Sequence, residues 1–271
     1  MKLRPKAIEK MRCLACERAG RPYNKEHFWP KWLIELTGTG ADGRGVSWMG
    51  KQVGPLNATI PLCVECNSEF GRVLETPVSR AFHELLDGKG ISINEAELIC
   101  RWLWKFEGLE WNLNNPHGRY SGFWTLRQRV CEEAAFNNIR DDLVLGMAFA
   151  GENGDEFTSW PIGLDHVSEL NAIFVSGVFH RIAVLVSLSR YAVEISEHLD
   201  VLMFRGRAPS DEKVFFPRTR FKDTTDAVGI MKRISVPLSF KHDTQPFRPG
   251  LFAPRRTRIE FPERLILPNK P

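Results

Sequence analysis

The chain has 271 residues, 43% of them hydrophobic and 26% charged, with a net charge of +4. This is the composition of a globular protein with material for one or two cores, and it excludes an intrinsically disordered chain. No apolar run approaches the roughly 20 residues that span a bilayer, and Met1-Lys2-Leu3-Arg4-Pro5 lacks the apolar centre of a signal peptide, so a cytoplasmic protein with no membrane association is expected.

Residues 1–12 are basic and lead into Cys13-Leu14-Ala15-Cys16; a second pair follows in Cys63-Val64-Glu65-Cys66. Two residues between thiols let a tight turn aim both sulfurs at one tetrahedral ion, and two such pairs complete a four-thiolate shell with no open position. The spacing therefore predicts a structural zinc held by Cys13, Cys16, Cys63 and Cys66. Two disulfides or four buried thiols are the alternatives, and a reducing compartment disfavours the first. The 46 residues between the pairs must hold structure of their own.

Inside that interval lies Lys25-Glu26-His27-Phe28-Trp29-Pro30. Imidazole is the side chain whose ordinary pKa lies nearest neutrality, so a His at a strand end can take a proton from water. Glu26 and Asn67, the residue after the second pair, offer hard oxygen ligands suited to magnesium or manganese. A shared zinc would bring all three groups to one place. Pro30 suits the first turn of a short helix over 31–36, with Trp32 and Leu33 in the core. Residues 37–54 are rich in Gly and read as a long loop within a hairpin.

From Asn67 a helix with the stripe Phe70, Val73 and Leu74 is expected, and Thr76 before Pro77 is expected to cap a second helix bearing Phe82, Leu85 and Leu86. Glu75 reads as an exposed helix carboxylate, with support of the site as the alternative. His83 reads as structural.

These residues carry a resemblance. The order Cys-x-x-Cys, Glu26-His27-x-x-Pro30-Lys31-Trp32-Leu33, Cys63-x-x-Cys66-Asn67 and Leu74-Glu75 resembles the HNH endonuclease family in its zinc-bound form. The resemblance covers about the first ninety residues. It implies a ββα-metal, treble-clef-like fold in which a hairpin and a following helix hold one catalytic divalent ion. It makes His27 the general base, Glu26 and Asn67 the ligands of magnesium or manganese, and Asn57 the residue bracing the His loop. Asn57 stands six residues before Cys63, farther than the family pattern places it. The implied reaction is hydrolysis of a phosphodiester to a five-prime phosphate and a three-prime hydroxyl, in a setting such as restriction or antiviral defence.

Asp87-Gly88-Lys89-Gly90 interrupts the apolar pattern, which divides the chain into a nuclease domain over 1–88 and an α+β accessory domain over 89–271. Asn94 followed by Glu97 resembles a helix start, with Ile99, Trp102, Leu103, Phe106 and Leu109 on one face. Core packing is the expected role of Trp102 and Trp104, with base stacking as the alternative. Cys100 and Cys131 lack partners at metal spacing. Another helix is expected over 123–139. Then 143–150, 157–164, 172–179 and 182–189 read as strands of an antiparallel sheet, although 178–188 could instead form one buried helix.

The fold class is thus α+β. From Arg205 to Lys270 there are 15 Lys or Arg against 7 Asp or Glu, a local net of +8. Arg218, Arg220, Lys222, Arg255, Arg256 and Arg258 alternate with Phe residues there; with Lys25 and Lys31 they form the expected nucleic-acid contacts. DNA is the expected partner, with RNA left open, and a protein regulator of the C-terminal domain is a further expectation. The competing reading is a non-enzymatic zinc-stabilised nucleic-acid-binding or adaptor protein.

Overall fold

A computed structural model describes residues 12–38, 46–48, 51–114, 124–151, 166–167 and 174–243. Expectations for residues 157–164, Arg255, Arg256 and Arg258 lie outside them.

The N-terminal part is built on a hairpin of β1 (Tyr23–His27) and β4 (Thr59–Cys63), antiparallel in the register Tyr23 with Cys63 and His27 with Thr59. Between them come α1 (Lys31–Thr37) and a small ladder of β2 (Val46–Trp48) and β3 (Lys51–Val53). Helix α1 starts after Pro30 as expected and stops at Gly38, whose φ of 69° is a left-handed cap that a residue without Cβ adopts at little cost. Part of the Gly-rich interval is therefore strand.

From β4 the chain turns directly into α2 (Val64–Phe70), a π-helical stretch over Gly71–Glu75, and α3 (Thr76–Leu86). The expected break at Thr76 is absent, because Phe70, Gly71, Glu75 and Thr76 all keep right-handed helical dihedrals. The Thr76 hydroxyl donates back to the carbonyl of Gly71 instead of capping a new start. Pro77 is tolerated because it falls in the first turn after the π stretch, where a missing N–H costs least.

Two-residue β5 (Ile91–Ser92) opens the long helix α4 (Ile93–Asn114). Its start lies earlier than Asn94-Glu97 suggests. Ser92 and Glu95 form the reciprocal cap, the Glu95 N–H donating to Ser92 Oγ at 3.2 Å and the Ser92 N–H to Glu95 Oε2 at 2.7 Å. Asn94 instead donates to Asp211 at 2.8 Å. The helix expected over 123–139 is two short ones, α5 (Leu126–Cys131), with a capping box of Thr125 and Gln128, and α6 (Glu133–Asn137).

The main sheet comprises β6 (Leu143–Ala150), β7 (His166–Val167), β8 (Val175–Phe179), β9 (Ile182–Leu188), β10 (Asp200–Met203) and β12 (Arg220–Phe221). Its order is β10-β6-β9-β8-β7, all antiparallel, with β12 running parallel to the end of β6. The helical alternative for 178–188 is overturned: Phe179 pairs with Ile182 across a tight turn in which His180 takes a φ of 54°. Short β11 (Lys213–Phe215) pairs with β5. Helices α7 (Ala192–Ser196) and α8 (Thr224–Asp243) complete the described fold.

Both faces of this sheet are covered, which explains why its strands read as nearly unbroken apolar runs. Leu143, Leu145, Met147 and Phe149 face a core shared with α4, α3 and the N-terminal hairpin. The intervening Val144, Ala148 and Ala150 pack with Ile195 of α7 and with Ala227, Met231, Ile234 and Leu238 of α8. Gly146 lies where α7 comes closest: a Cβ there would meet Ile195 Cγ2 at 2.8 Å and Leu199 Cδ1 at 2.9 Å. One continuous set of buried side chains runs from Cys13 to Phe204, across the turn at 87–90, and α4 forms its spine. Trp102 and Trp104 are fully buried in it, so they pack and do not present rings for stacking.

Candidate functional site

The first thiol pair sits on a tight turn closed by the Cys13 N–H donating to the carbonyl of Arg18 and the Glu17 N–H donating to the carbonyl of Cys13, with Glu17 at a φ of 58°. The second pair straddles the junction of β4 and α2. Cys63 is the cap of that helix, its Sγ accepting from the Cys66 N–H at 3.5 Å, and the Cys63 N–H donates to Cys13 Sγ at 3.4 Å.

The sulfurs of Cys13, Cys16, Cys63 and Cys66 lie within 4.8 Å of one another, and those of Cys16 and Cys63 are 3.8 Å apart. Tetrahedral zinc with bonds of about 2.3 Å separates its sulfurs by about 3.8 Å, so the donor set fits the ion in geometry and chemistry. Electrostatics points the same way. The Cys66 thiol donates to Cys13, which pulls the Cys13 pKa well below the ordinary thiol range and pushes that of Cys66 far above it. Burial raises Cys16 as well. A divalent ion bound by the four sulfurs would stabilise them as thiolates. These cysteines can hold a metal ion such as zinc. Cys100 and Cys131 stay outside the cluster as free thiols.

This cluster fastens the start of α2 to the base of the hairpin, and Asn67, the next residue of the helix, lies against β1. Its Nδ2 donates to Asn24 Oδ1 at 2.7 Å and to the carbonyl of Lys25 at 3.5 Å. Asn24 and Glu26 share the face of β1 that looks toward the helices, whereas the alternation of a strand gives His27, half-buried at the strand's end, the other face with Lys25. Asn67 therefore lies against the strand that carries Glu26, and His27 belongs to the opposite face of that strand.

Glu26 is not a free carboxylate. Its Oε1 is 2.5 Å from Nζ of Lys105, and the same ammonium is 2.5 Å from Glu75 Oε1. The Lys105 side chain is 0% exposed and those of Glu26 and Glu75 are 12% exposed, so the ammonium is sealed between them. The second Glu75 oxygen accepts from the indoles of Trp32 at 2.7 Å and Trp102 at 3.2 Å. Phe70 lies under the ammonium at 5.4 Å. Burial works to lower the Lys105 pKa, but Glu75 and Glu26 outweigh it and the net direction is up, so the ammonium keeps its proton. Glu75, expected to be an exposed helix carboxylate, is an internal hydrogen-bonding hub.

Sequence reasoning missed Lys105 altogether. Its signal was present: it falls on the apolar face of Trp102, Leu103, Phe106 and Leu109, three residues after Trp102, where a charge persists only with a partner.

Asn57 is exposed at the end of a 3-10 turn, Pro55–Asn57. The bond that braces the segment after His27 is main-chain: the Phe28 N–H donates to the carbonyl of Ala58 at 2.8 Å. Lys25 is exposed, and Lys31 pairs with Glu35 at 3.4 Å on the surface of α1.

Arg218, Arg220 and Lys222 alternate along the edge of the main sheet, away from the hairpin in sequence and in element, and all three are exposed. Asp200 organises the approach by accepting both the Arg218 and Thr219 N–H groups at 2.6 Å. Arg220 is partly committed to the fold: its guanidinium lies 4.3 Å from the Phe149 ring and donates to the carbonyl of Pro217. Among the described residues no helix is long and apolar enough to cross a membrane. Compared with known proteins, the chain matches no family model, no curated protein and no solved structure.

Proposed function

We propose that this protein is a metal-dependent nuclease of the HNH kind, hydrolysing phosphodiester bonds of DNA. The observation that carries the reading is the joining of β1, β4 and α2 by four thiols, which sets Asn67 against the strand carrying Glu26 and His27. A hairpin and helix tied in this way support the ββα reading that the resemblance implies.

In this mechanism His27 removes a proton from the attacking water. The new P–O bond forms in line with the bond to the three-prime oxygen, which leaves and takes up a proton. Glu26 and Asn67 would hold magnesium or manganese; one carboxylate and one carboxamide, completed by water and a phosphate, suit an ion that keeps much of its hydration. When bound, that ion supplies charge neutralisation at the scissile phosphate. Lys25, exposed beside the strand end, and the Arg218, Arg220 and Lys222 edge supply sequence-independent attraction for the backbone. Restriction or defence against phage is the setting this activity suits.

A second reading has an observation of its own. Glu26 already balances Lys105, so a zinc-stabilised binding or adaptor protein would use the carboxylate to hold the fold alone. Cleavage of supercoiled plasmid separates the two. The nuclease reading expects cutting that requires magnesium or manganese and is abolished in His27→Ala at unchanged zinc content. Cutting by His27→Ala at the wild-type rate would remove His27 from the mechanism, and no cutting by wild type with either ion would favour the binding protein.

A further inference from the structure

The geometry points to Lys105 and Glu75 as positioning residues that set the Glu26 carboxylate for a divalent cation, so that α4 and the π-helical stretch over Gly71–Glu75 build part of the metal site from outside the hairpin. The inference rests on the nuclease reading for its purpose, but its test reads cation binding directly.

Three features separate this constellation from an ordinary ion pair. The ammonium is bound by two carboxylates at 2.5 Å each while fully enclosed, so it has one available position. Glu75 is itself fixed, because Lys105 holds one oxygen and two indole N–H groups hold the other. Those indoles come from α1 and α4, elements that no cysteine of the cluster reaches, and both rings pack on Phe82 of α3. Finally, the two carboxylates outnumber the one ammonium, leaving a net charge of −1 when all three are ionised, at the strand whose Asn24 holds Asn67.

The chain of contacts therefore runs from the core to the strand: Trp32 and Trp102 fix Glu75, Glu75 fixes Lys105, and Lys105 fixes one oxygen of Glu26. A carboxylate held at one oxygen has its remaining lone pairs directed, which is how hydrogen-bonded surroundings tune a metal ligand. Glu75 also closes the π-helical stretch, a form of helix frequent at functional sites. An ion pair needed only to join α4 to the hairpin would serve equally well with any geometry that neutralised the charge.

The test is manganese binding to the full-length, zinc-loaded protein, followed by electron paramagnetic resonance, with plasmid cleavage measured in parallel. Glu26→Gln identifies the site by losing it. Lys105→Met leaves two carboxylates without a counter-charge and can fail to fold. The double variant Lys105→Met with Glu75→Gln keeps the local net charge at −1 and retains an acceptor for the indoles. For that double variant, manganese binding about 10–100-fold weaker than wild type is expected, with zinc content and the unfolding transition retained. Lys105→Arg should recover part of the loss. Wild-type affinity in the folded double variant would overturn the inference, as would a wild-type protein with no Glu26-dependent manganese site. Wild type that binds manganese through Glu26 but cuts nothing would end the nuclease reading and leave the positioning role measured.

Discussion

The carboxamide of Asn67 donates through its nitrogen to Asn24 Oδ1 at 2.7 Å, leaving its oxygen as the acceptor end of the group. The pair links the first turn of α2 to the hairpin at a point the thiols do not reach, and it orients the Asn67 carboxamide against β1.

Replacing either member should separate the two roles. Asn67→Ala removes both the donor and the oxygen, and is expected to raise the magnesium concentration needed for half-maximal cleavage. Asn24→Ala keeps the oxygen and loses only its brace, so a smaller shift is expected. Because the bond is exposed, each should cost only about 1 kcal/mol of stability. Denaturant unfolding and a magnesium titration check both expectations; an unchanged titration for Asn67→Ala would count against a ligand role.

Removal of the metal should release the hairpin from α2. Zinc sites of four thiolates contribute about 10–16 kcal/mol of binding free energy in small domains, and that energy is folding energy. Metal analysis should find one zinc per chain in wild type and in Cys100→Ser and Cys131→Ser, whose thiols lie outside the cluster. Cys66→Ser should lose it. Hydrogen exchange is expected to show β1 and β4 unprotected after chelation while β6 and β9, in the middle of the main sheet, stay protected.

A second buried pair offers a stability test away from the site. Arg129 of α5 donates to Glu107 of α4 at 3.0 Å with both side chains 0% exposed, and the guanidinium lies 4.9 Å from the Trp104 ring. Burial pulls the Arg129 pKa down to about 10, and Glu107 only partly restores it. Arg129→Met strands a carboxylate in the core and should cost about 3–5 kcal/mol. Adding Glu107→Leu should recover most of that, because a matched apolar pair needs no counter-charge. Urea unfolding of the two variants distinguishes the outcomes.

Glu110, one helical turn beyond Lys105 and Phe106, has its carboxyl pKa raised by burial. A raised acid binds its proton more tightly in the folded state. Its destabilising effect is therefore absent below the ordinary carboxyl range, grows as pH rises through that range, and is complete above the folded pKa. Glu110→Gln should be more stable than wild type at neutral pH, and the gap should close on acidification. A gap independent of pH would show that the carboxyl does not titrate as burial requires.

Where the pattern of residues is local, sequence reasoning and structure agree closely. The apolar face of α4 and the strand runs at 143–150 and 182–189 follow from side-chain periodicity, because each element must bury one face or two, and the helix after Pro30 follows from the fit of proline to a first turn. The errors fall where two local rules compete. Thr76-Pro77 has the residues of a helix start, yet the preceding turns already point into the core, and packing of Leu74, Val78 and Phe82 outweighs the cap preference. At 178–188 an apolar run fits helix or strand, and only pairing with β6 and β8 decides it.

By itself the sequence determined the thiol cluster, since paired spacing acts through a few covalent turns and any fold uniting the two knuckles must place four sulfurs together. It also placed Asn67 next to that cluster, one residue after Cys66. Only the tertiary structure decided the fate of Glu26. The partner Lys105 is 79 residues away, on a helix assigned to a different part of the chain, and Glu75 and two indoles complete the arrangement. A charge can be buried only where several distant groups meet it together, and that meeting is set by how α4 packs across the hairpin.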